Sequence, residues 1–303
     1  MIPRIQKLAD DLFLIPLDLP TTGFTEFISV WLYRGEKTFL VDVGPSTAAT
    51  DLLKALQELN VGHLDYILLT HIHLDHAGAI GQIANAFPQT PIICHEAAIP
   101  HLIEPSKLWE MTQKVLGTMA LSYGPIEPVA ADRLSNAKSL QTGSVAPIIT
   151  PGHAPHHVSY QTEKYLFAGE TGGVYISLPQ NKFCLRPATP PKFYLNIALQ
   201  SVDRLIDCQP KKICYGHFGI NASAMKMLKA HRRQLLLWET LIKDEIQRGS
   251  TKDRQAACQK RILKDDPLLA NFDQLPPDIQ VREAYFFQNS IKGYLGYLES
   301  EVR

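Results

Sequence analysis

Two successive series of short β-rich runs, each leading into helical patterns, occupy the first 220 residues of this 303-residue chain. The first series has strand patterns over residues 12–17, 27–33, 38–43, 65–70 and 91–94, with helical patterns over 46–59 and 78–87. The second has strand patterns over 146–150, 158–161, 165–168, 173–176 and 211–215, with a helical pattern over 192–207. This doubling predicts an α/β fold in which two sheets pack face to face with helices outside, a four-layer αββα sandwich.

Strand patterns end near residue 220, and long helical patterns follow through residue 303. We therefore expect two parts: an αββα domain over residues 1–220, and a helical C-terminal extension over 221–303 that packs on or near the active-site edge. In the last helical pattern one apolar stripe recurs at helical spacing: Ala284, Phe287, Ile291, Leu295 and Leu298. The aromatic residues of the extension favour core packing, while a lid over the site and a dimer face both stay open.

The charge balance argues against several classes of partner. Thirty Lys and Arg residues offset thirty Asp and Glu residues, so no net positive field favours binding to nucleic acid or to an anionic membrane. No run of 18 uncharged apolar residues indicates a transmembrane helix, and the apolar run 12–15 is interrupted by acidic residues and prolines, unlike a signal peptide. Five scattered cysteines without a Cys-x-x-Cys pair are typical of reduced thiols. These features predict a cytoplasmic location.

The densest chemical signal is the segment THIHLDHAG at residues 70–78, which lies between a buried strand pattern and a helical one. Three imidazoles and one carboxylate fall within six residues, from His71, His73, Asp75 and His76. A tight turn directs alternate imidazoles at one metal ion, and the last two side chains reach a second position. Neutral imidazole and carboxylate suit divalent Zn, Fe or Mn, so the segment predicts a transition-metal site.

Three further ligand-type residues follow predicted strands of the second series: His153, Glu170 and His217. Each comes directly after a glycine, which lets the backbone approach a metal ion closely. We expect these side chains to converge with the histidine-rich turn on one edge of the sandwich.

The four segments THIHLDHAG, TPGHAPHH, FAGE and YGHFG, in that order, resemble the motifs of the metallo-β-lactamase superfamily over about residues 10–220. The resemblance implies a dinuclear centre in which His71, His73 and His153 hold one metal ion, Asp75, His76 and His217 hold the other, and Glu170 bridges them. The chain departs from the family pattern at the bridging position, where the family usually has Asp and Glu170 is one methylene longer.

Two divalent ions lower the pKa of a bound water and polarise a carbonyl oxygen, which favours hydrolysis by a metal-bound hydroxide. We therefore expect a metal-dependent hydrolase acting on a thioester, lactone or ester of a small acyl substrate, with Asp75 as the catalytic proton acceptor. Within the superfamily the motifs resemble the glyoxalase II-like thioesterases and the acyl-homoserine lactonases. Two alternatives stay open: a mononuclear iron enzyme of the persulfide dioxygenase type, and a signalling or binding protein with a vestigial site.

Substrate contacts are expected from a stiff Pro-rich segment at residues 186–191 and its neighbours. Arg186 has a planar fork suited to a substrate carboxylate, and Tyr175 and Tyr194 are weaker candidates. His156 and His157 lie beside His153; support of a metal ligand by one of them stays open, and ordinary polar exposure is expected. A homodimer is possible, and no nucleic-acid or membrane partner is expected.

Overall fold

The computed structural model describes residues 4–249 and 253–301. In this part of the chain, a seven-stranded sheet follows the chain order from edge to edge: β1 (Gln6–Ala9), β2 (Leu12–Leu17), β3 (Ile28–Arg34), β4 (Thr38–Val41), β5 (Tyr66–Leu68), β6 (Ile92–Cys94) and β7 (Leu134–Asn136). Strands β1 to β4 pair antiparallel, and β4 to β7 pair in parallel. The parallel half therefore presents several carboxyl strand ends at one edge.

The strands described in the second half are β8 (Ala146–Ile149), β9 (Val158–Gln161), β10 (Tyr165–Gly169), β11 (Val174–Leu178), β12 (Lys182–Arg186), β13 (Lys212–Tyr215) and β14 (Ile220–Asn221). Five of them form a second sheet in the order β14, β13, β10, β9, β8, and β11 pairs with β12 as a separate hairpin. Strands β10 and β13 are parallel, so their carboxyl ends also share one edge.

Helices cover both outer faces of the paired sheets. Those of the described residues are α1 (Ala49–Glu58), α2 (Leu74–Ala77), α3 (Ile80–Ala86), α4 (Ile99–Ile103), α5 (Ser106–Leu116), α6 (Met119–Tyr123), α7 (Leu195–Asp207), α8 (Ala224–Gln247), α9 (Arg254–Asp265) and α10 (Pro277–Glu301). Single 3₁₀ turns lie at Ser46–Ala48, Glu96–Ala98, Ala131–Arg133, Ala137–Ser139, Pro267–Leu269 and Phe272–Gln274. Among the helices of these residues, none combines the length and the apolarity needed to span a bilayer.

The two sheets bury one apolar layer between them, rich in aromatic rings. Trp31 and Phe39 from the first sheet lie close to Phe167 of the second, with ring centroids 6.1 and 6.0 Å apart. The Trp31 indole donates to the Tyr215 carbonyl across the layer at 2.9 Å. Further apolar clusters lie between each sheet and its helices. The predicted αββα sandwich with a C-terminal helical region is confirmed.

Several predicted element boundaries differ from the structure. The buried strand predicted over 65–70 is limited to β5, and residues 69–73 leave the sheet toward the short helix α2, which the sequence pattern missed. The pattern also missed β1, β7 and β12. The turn before β12 places Gln180 and Asn181 in left-handed backbone at φ of 60° and 59°. A left-handed turn without glycine carries a weak sequence signal, which is why the hairpin was not predicted.

The C-terminal helices pack against the second sheet and share one apolar cluster with α7 and β13. Trp238, Phe287 and Tyr294 are fully buried in this cluster, as expected for core aromatics, whereas Tyr285 is 38% exposed. The predicted boundary at residue 220 falls within the two-residue edge strand β14.

Candidate metal centre

The histidine-rich turn begins where β5 ends and finishes in the one-turn helix α2. His73 precedes this helix in extended backbone at φ −62° and ψ 145°, so that His71 and His73 lie two residues apart on an extended segment. Asp75 and His76 follow on α2 itself. His71 and His76 are buried, and Asp75 keeps 15% of its side chain exposed.

The second sheet supplies the remaining three side chains at the same edge. His153 follows β8, Glu170 follows β10 directly, and His217 follows β13. Gly169 has a φ of +54°, and a Cβ atom there would lie 2.4 Å from Nε2 of His157. Only glycine fits this close approach, which turns the chain so that Glu170 points inward.

Glu170 lies at the centre of the cluster. Its Oε2 is 2.7 Å from Nε2 of His153 and 3.2 Å from Nε2 of His71, and its Oε1 is 3.2 Å from Nε2 of His217. Nδ1 of His73 lies 2.9 Å from Nε2 of His153. The extra methylene of glutamate therefore does not prevent this carboxylate from reaching both halves of the cluster.

The ligand-type atoms fall into two compact groups whose members lie within 4.8 Å of one another, one formed by His71, His73, His153 and Glu170 and the other by Asp75, His76 and His217. The structure thus brings together all seven predicted side chains. Nε2 of His71 and Nε2 of His76 are buried, and neither makes a hydrogen bond of good geometry, although Oε2 of Glu170 lies 3.2 Å from the first. A buried nitrogen without a partner is costly, and a divalent cation among these atoms would satisfy both, so the residues present fit a metal centre.

The other ring nitrogens of these histidines are held by protein acceptors. Asp42 Oδ2 lies 3.0 Å from Nδ1 of His76, and the Thr70 hydroxyl lies 3.0 Å from Nδ1 of His71. Backbone carbonyls do the same for the second half, with Ala188 2.9 Å from His153 and Phe27 3.1 Å from His217. An acceptor at Nδ1 places the proton there and leaves Nε2 free to bind a metal ion.

Burial and charge shift the pKa values of the cluster in opposite directions. Burial lowers the pKa of His73 to about 4 and that of His71 well below its usual value. Burial also opposes protonation of His76, but the carboxylates of Asp75, Asp42 and Glu170 outweigh it and raise the pKa of His76 to about 9. For Glu170, burial alone would raise the pKa, but His153 and His217 hold it well below its usual value. Protons and metal ions therefore compete for the same cluster of ligands.

The three residues predicted for substrate contact occupy different environments. Arg186 is 5% exposed, and its Nε donates to Glu283 at 2.5 Å, so its guanidinium lies in an internal ion pair. Tyr175 is buried and stacks on Tyr215 with centroids 4.6 Å apart. Tyr194 is 53% exposed where α7 begins.

Several supporting residues were missed by the sequence patterns. The expected exposure of His157 is wrong: it is fully buried, and its Nε2 accepts the Glu170 backbone N–H at 3.2 Å. Asp42 was not singled out, although an Asp that directly follows a buried strand is a recognisable signal. Tyr123 of α6 is also buried, stacks on Phe27 at 6.4 Å, and has its pKa raised by burial and then by the charges of Asp75 and Glu170.

Comparison with known proteins identifies the class. Residues 23–217 match the sequence model of the Metallo-beta-lactamase superfamily. Since this match spans more than half of the chain, the protein belongs to the metallo-β-lactamase superfamily, whose members are generally hydrolytic metalloenzymes.

Individual relatives agree with this assignment. The chain is 29% identical over 228 residues to the metallo-beta-lactamase fold-containing protein ST1585 of Sulfurisphaera tokodaii, covering 72% of this chain and 82% of that protein. The crystal structure of ST1585 from Sulfolobus tokodaii matches with a TM-score of 0.63 at 28% identity over 75% of this chain and 87% of that one. A metallo-beta-lactamase family protein of Thermus thermophilus, TTHA1429, shares the fold, with a TM-score of 0.62 at 21% identity over 98% of this chain and 95% of that one.

A hydroxyacylglutathione hydrolase of Pectobacterium atrosepticum is 29% identical over 142 residues, which is 47% of this chain and 46% of that enzyme. The chain thus spans less than half of this relative.

Proposed function

We propose that the protein is a metal-dependent hydrolase of small acyl compounds with a thioester, lactone or ester bond. The observation that carries this proposal is the Glu170 carboxylate, whose two oxygens face imidazoles of both groups at 2.7–3.2 Å. His71, His73 and His153 would hold one divalent transition-metal ion, Zn, Fe or Mn, and Asp75, His76 and His217 a second, with Glu170 between them. When bound, such ions supply a nucleophile at neutral pH and polarise a carbonyl oxygen.

Asp75 is the proposed proton acceptor. Its Oδ2 lies 3.7 Å from Nε2 of both His76 and His217, farther than the Glu170 oxygens lie from His71, His153 and His217. Its side chain is partly exposed, so that one face is open to an incoming substrate and to solvent. A carboxylate in this position orients a nucleophile by hydrogen bonding and accepts its proton.

Aromatic side chains surround this half of the cluster and suit an apolar acyl group. The Phe27 ring lies 4.8 Å from the His217 ring and stacks on Tyr123 and on Phe286. Tyr285, next to Phe286, is partly exposed. Tyr194 remains a proposed substrate contact because its ring reaches solvent, whereas the charge of Arg186 is already paired.

A limited similarity to a hydroxyacylglutathione hydrolase supports testing thioesters first. The experiment measures metal content by elemental analysis and turnover of a thioester, a lactone and an ester in the same preparation. We expect close to two transition-metal ions per chain and turnover that disappears on chelation. Asp75→Asn removes the proton acceptor and should lower turnover by at least about 100-fold, the usual size of general-base effects.

The matched control is His101→Gln, which changes an exposed histidine on α4 outside the cluster and should leave both quantities unchanged. A reproducible content near one ion with intact turnover would contradict the dinuclear assignment. Metal-loaded protein that consumes dioxygen with a persulfide and hydrolyses none of the three substrates would replace the proposal with the iron oxygenase alternative.

A further inference from the structure

A buried ionic cluster joins the C-terminal helix α10 to the αββα sandwich. Glu283 of α10 is 1% exposed and lies between two guanidinium groups, with Arg186 Nε at 2.5 Å and Arg282 Nε at 2.8 Å. Both arginines are themselves buried, at 5% and 6% exposed. Desolvating three charges is expensive, and apolar side chains of similar volume often stabilise a fold equally well. The further contacts of these charged groups show what the cluster holds in place.

A chain of hydrogen bonds, called here the first arm, runs from this ionic cluster to His153. Arg186 Nη1 donates to the Pro187 carbonyl at 3.2 Å, and the Ser290 hydroxyl of α10 donates to the same oxygen at 3.3 Å. Two residues later, the Thr189 hydroxyl donates to the Ser290 carbonyl at 2.9 Å. Ala188, between these two anchored residues, provides the carbonyl that accepts from Nδ1 of His153.

The second arm leads to His217. Arg282 Nη1 donates to the Gly23 carbonyl at 2.7 Å, and its guanidinium lies over the Phe27 ring, 5.2 Å from the centroid. Gly23 approaches α10 so closely that a Cβ atom would lie 2.5 Å from the Asp278 carbonyl. Phe27 provides the carbonyl that accepts from Nδ1 of His217.

The structure assigns to α10 a positioning role in the metal centre: through Arg186, Arg282 and Glu283 it holds the two carbonyls that orient one histidine in each ligand group. This inference rests on the ligand set of the proposed function. The residues of the cluster are positioning residues, since none of them is among the seven ligand-type side chains. The C-terminal helices are then part of the metal site and not only a cover for the second sheet.

The test separates the two arms with two mild substitutions. Thr189→Val keeps the shape of the side chain and removes the hydrogen bond to Ser290 in the first arm. Arg282→Lys keeps the positive charge but loses the fork that reaches both Glu283 and Gly23 in the second arm. The control is Ile262→Ala on α9, which weakens the core of the C-terminal helices and touches neither arm.

Zinc affinity is measured by competition with a chromophoric chelator, in backgrounds that keep one ligand group each. In Asp75→Ala, which keeps the group formed by His71, His73, His153 and Glu170, Thr189→Val should weaken zinc binding by about 10–100-fold, and Arg282→Lys should not. Losses of this size are typical when a hydrogen-bond partner of a metal ligand is removed. In His73→Ala, which keeps the group formed by Asp75, His76 and His217, Arg282→Lys should weaken zinc binding by the same amount and Thr189→Val should not. Absorption spectra of the cobalt-substituted protein should change with Thr189→Val in the Asp75→Ala background and with Arg282→Lys in the His73→Ala background. The control Ile262→Ala should lower the melting temperature and change neither zinc affinity nor the spectra.

Wild-type protein that binds zinc tightly while both arm variants bind it equally well would overturn the inference and leave the proposed function standing. Equal weakening by Ile262→Ala would also overturn it, because general loosening of the C-terminal helices would then explain the effect. Wild-type protein that binds no zinc, iron or manganese would overturn the proposed function and this inference together.

Discussion

Asp42 offers the sharpest single test of how the cluster is prepared for a metal ion. Its carboxylate is buried and accepts three close hydrogen bonds: from the Thr70 backbone N–H at 2.7 Å, from the Thr70 hydroxyl at 2.8 Å and from Nδ1 of His76 at 3.0 Å. Asp42 also has left-handed backbone at φ 59°, which asparagine adopts as readily as aspartate. The substitution Asp42→Asn therefore changes the hydrogen bonding and leaves the backbone undisturbed.

The magnitude follows from the geometry. If the amide oxygen introduced by Asp42→Asn still accepts the Thr70 N–H, the NH₂ group of the new side chain faces Nδ1 of His76. This NH₂ group can donate to Nδ1 only when the imidazole proton of His76 moves from Nδ1 to Nε2. Nε2 is the atom that faces Asp75 and Glu170, so His76 then no longer offers it to a metal ion. Losing a hydrogen bond to a charged group costs about 1.5–3 kcal/mol. At about 1.4 kcal/mol per factor of ten, this is roughly a 10- to 100-fold loss of zinc affinity.

The assay is a zinc competition titration of wild-type protein and Asp42→Asn, with Asp65→Asn as the matched control. Asp65 also accepts a backbone N–H next to a strand, from Thr38 at 2.8 Å, and binds Lys37 at 2.9 Å. No ligand-type side chain of the described cluster contacts it. Wild-type affinity in Asp42→Asn, or an equal loss in Asp65→Asn, would refute the argument that Asp42 sets the proton position of His76.

Two further predictions concern the charges of the cluster. Glu170→Gln should weaken zinc binding by at least about 10–100-fold, since losses of this size occur even when a residue that only hydrogen-bonds to a ligand is replaced. Glu170→Asp should retain more zinc affinity because it keeps the carboxylate. Equal zinc affinity of Glu170→Gln and wild type would remove Glu170 from the ligand set. In chelator-treated protein, the free energy of unfolding should rise from about pH 4 to 6.5, because the unfolded state binds a proton at His73 that the folded state does not. It should fall from pH 6.5 to about 9, because the folded state holds a proton on His76 that the unfolded state releases. Urea titrations across this range check the maximum near pH 6.5, and a steady rise through pH 9 would contradict it.

The sequence predicted the seven ligand-type residues because each bears a distinctive side chain directly after a strand pattern. His71 to His76 are also close in the chain, so one local motif places four of them. Strand periodicity then brings His153, Glu170 and His217 to the same edge, without any need to know how loops pack. The sandwich was predictable for the same reason, since alternating strand and helix patterns constrain layers more than they constrain details.

The supporting contacts could not be predicted in this way. The carbonyl behind His217 belongs to Phe27, 190 residues away, and the carbonyl behind His153 belongs to Ala188, 35 residues away. Every residue has a backbone carbonyl, so residue type gives no signal for such a contact. Arg186 shows the same limit from the other side: its residue type suggests a contact for substrate, and nothing in its sequence neighbourhood points to the pairing with Glu283, 97 residues later.

The chain order of the first sheet has a consequence for how the protein is made. Within this sheet its seven described strands pair only with their neighbours along the chain, so each pairing forms without any strand of the second sheet. The second sheet requires β10 to pair with β13 across helix α7, and its helical cover depends on residues after 224. During synthesis the first sheet can therefore assemble while the second half is still emerging. The histidine-rich turn is then in place before its partners, and α10, which emerges after the other described helices, supplies the contacts that hold two of the histidine acceptors.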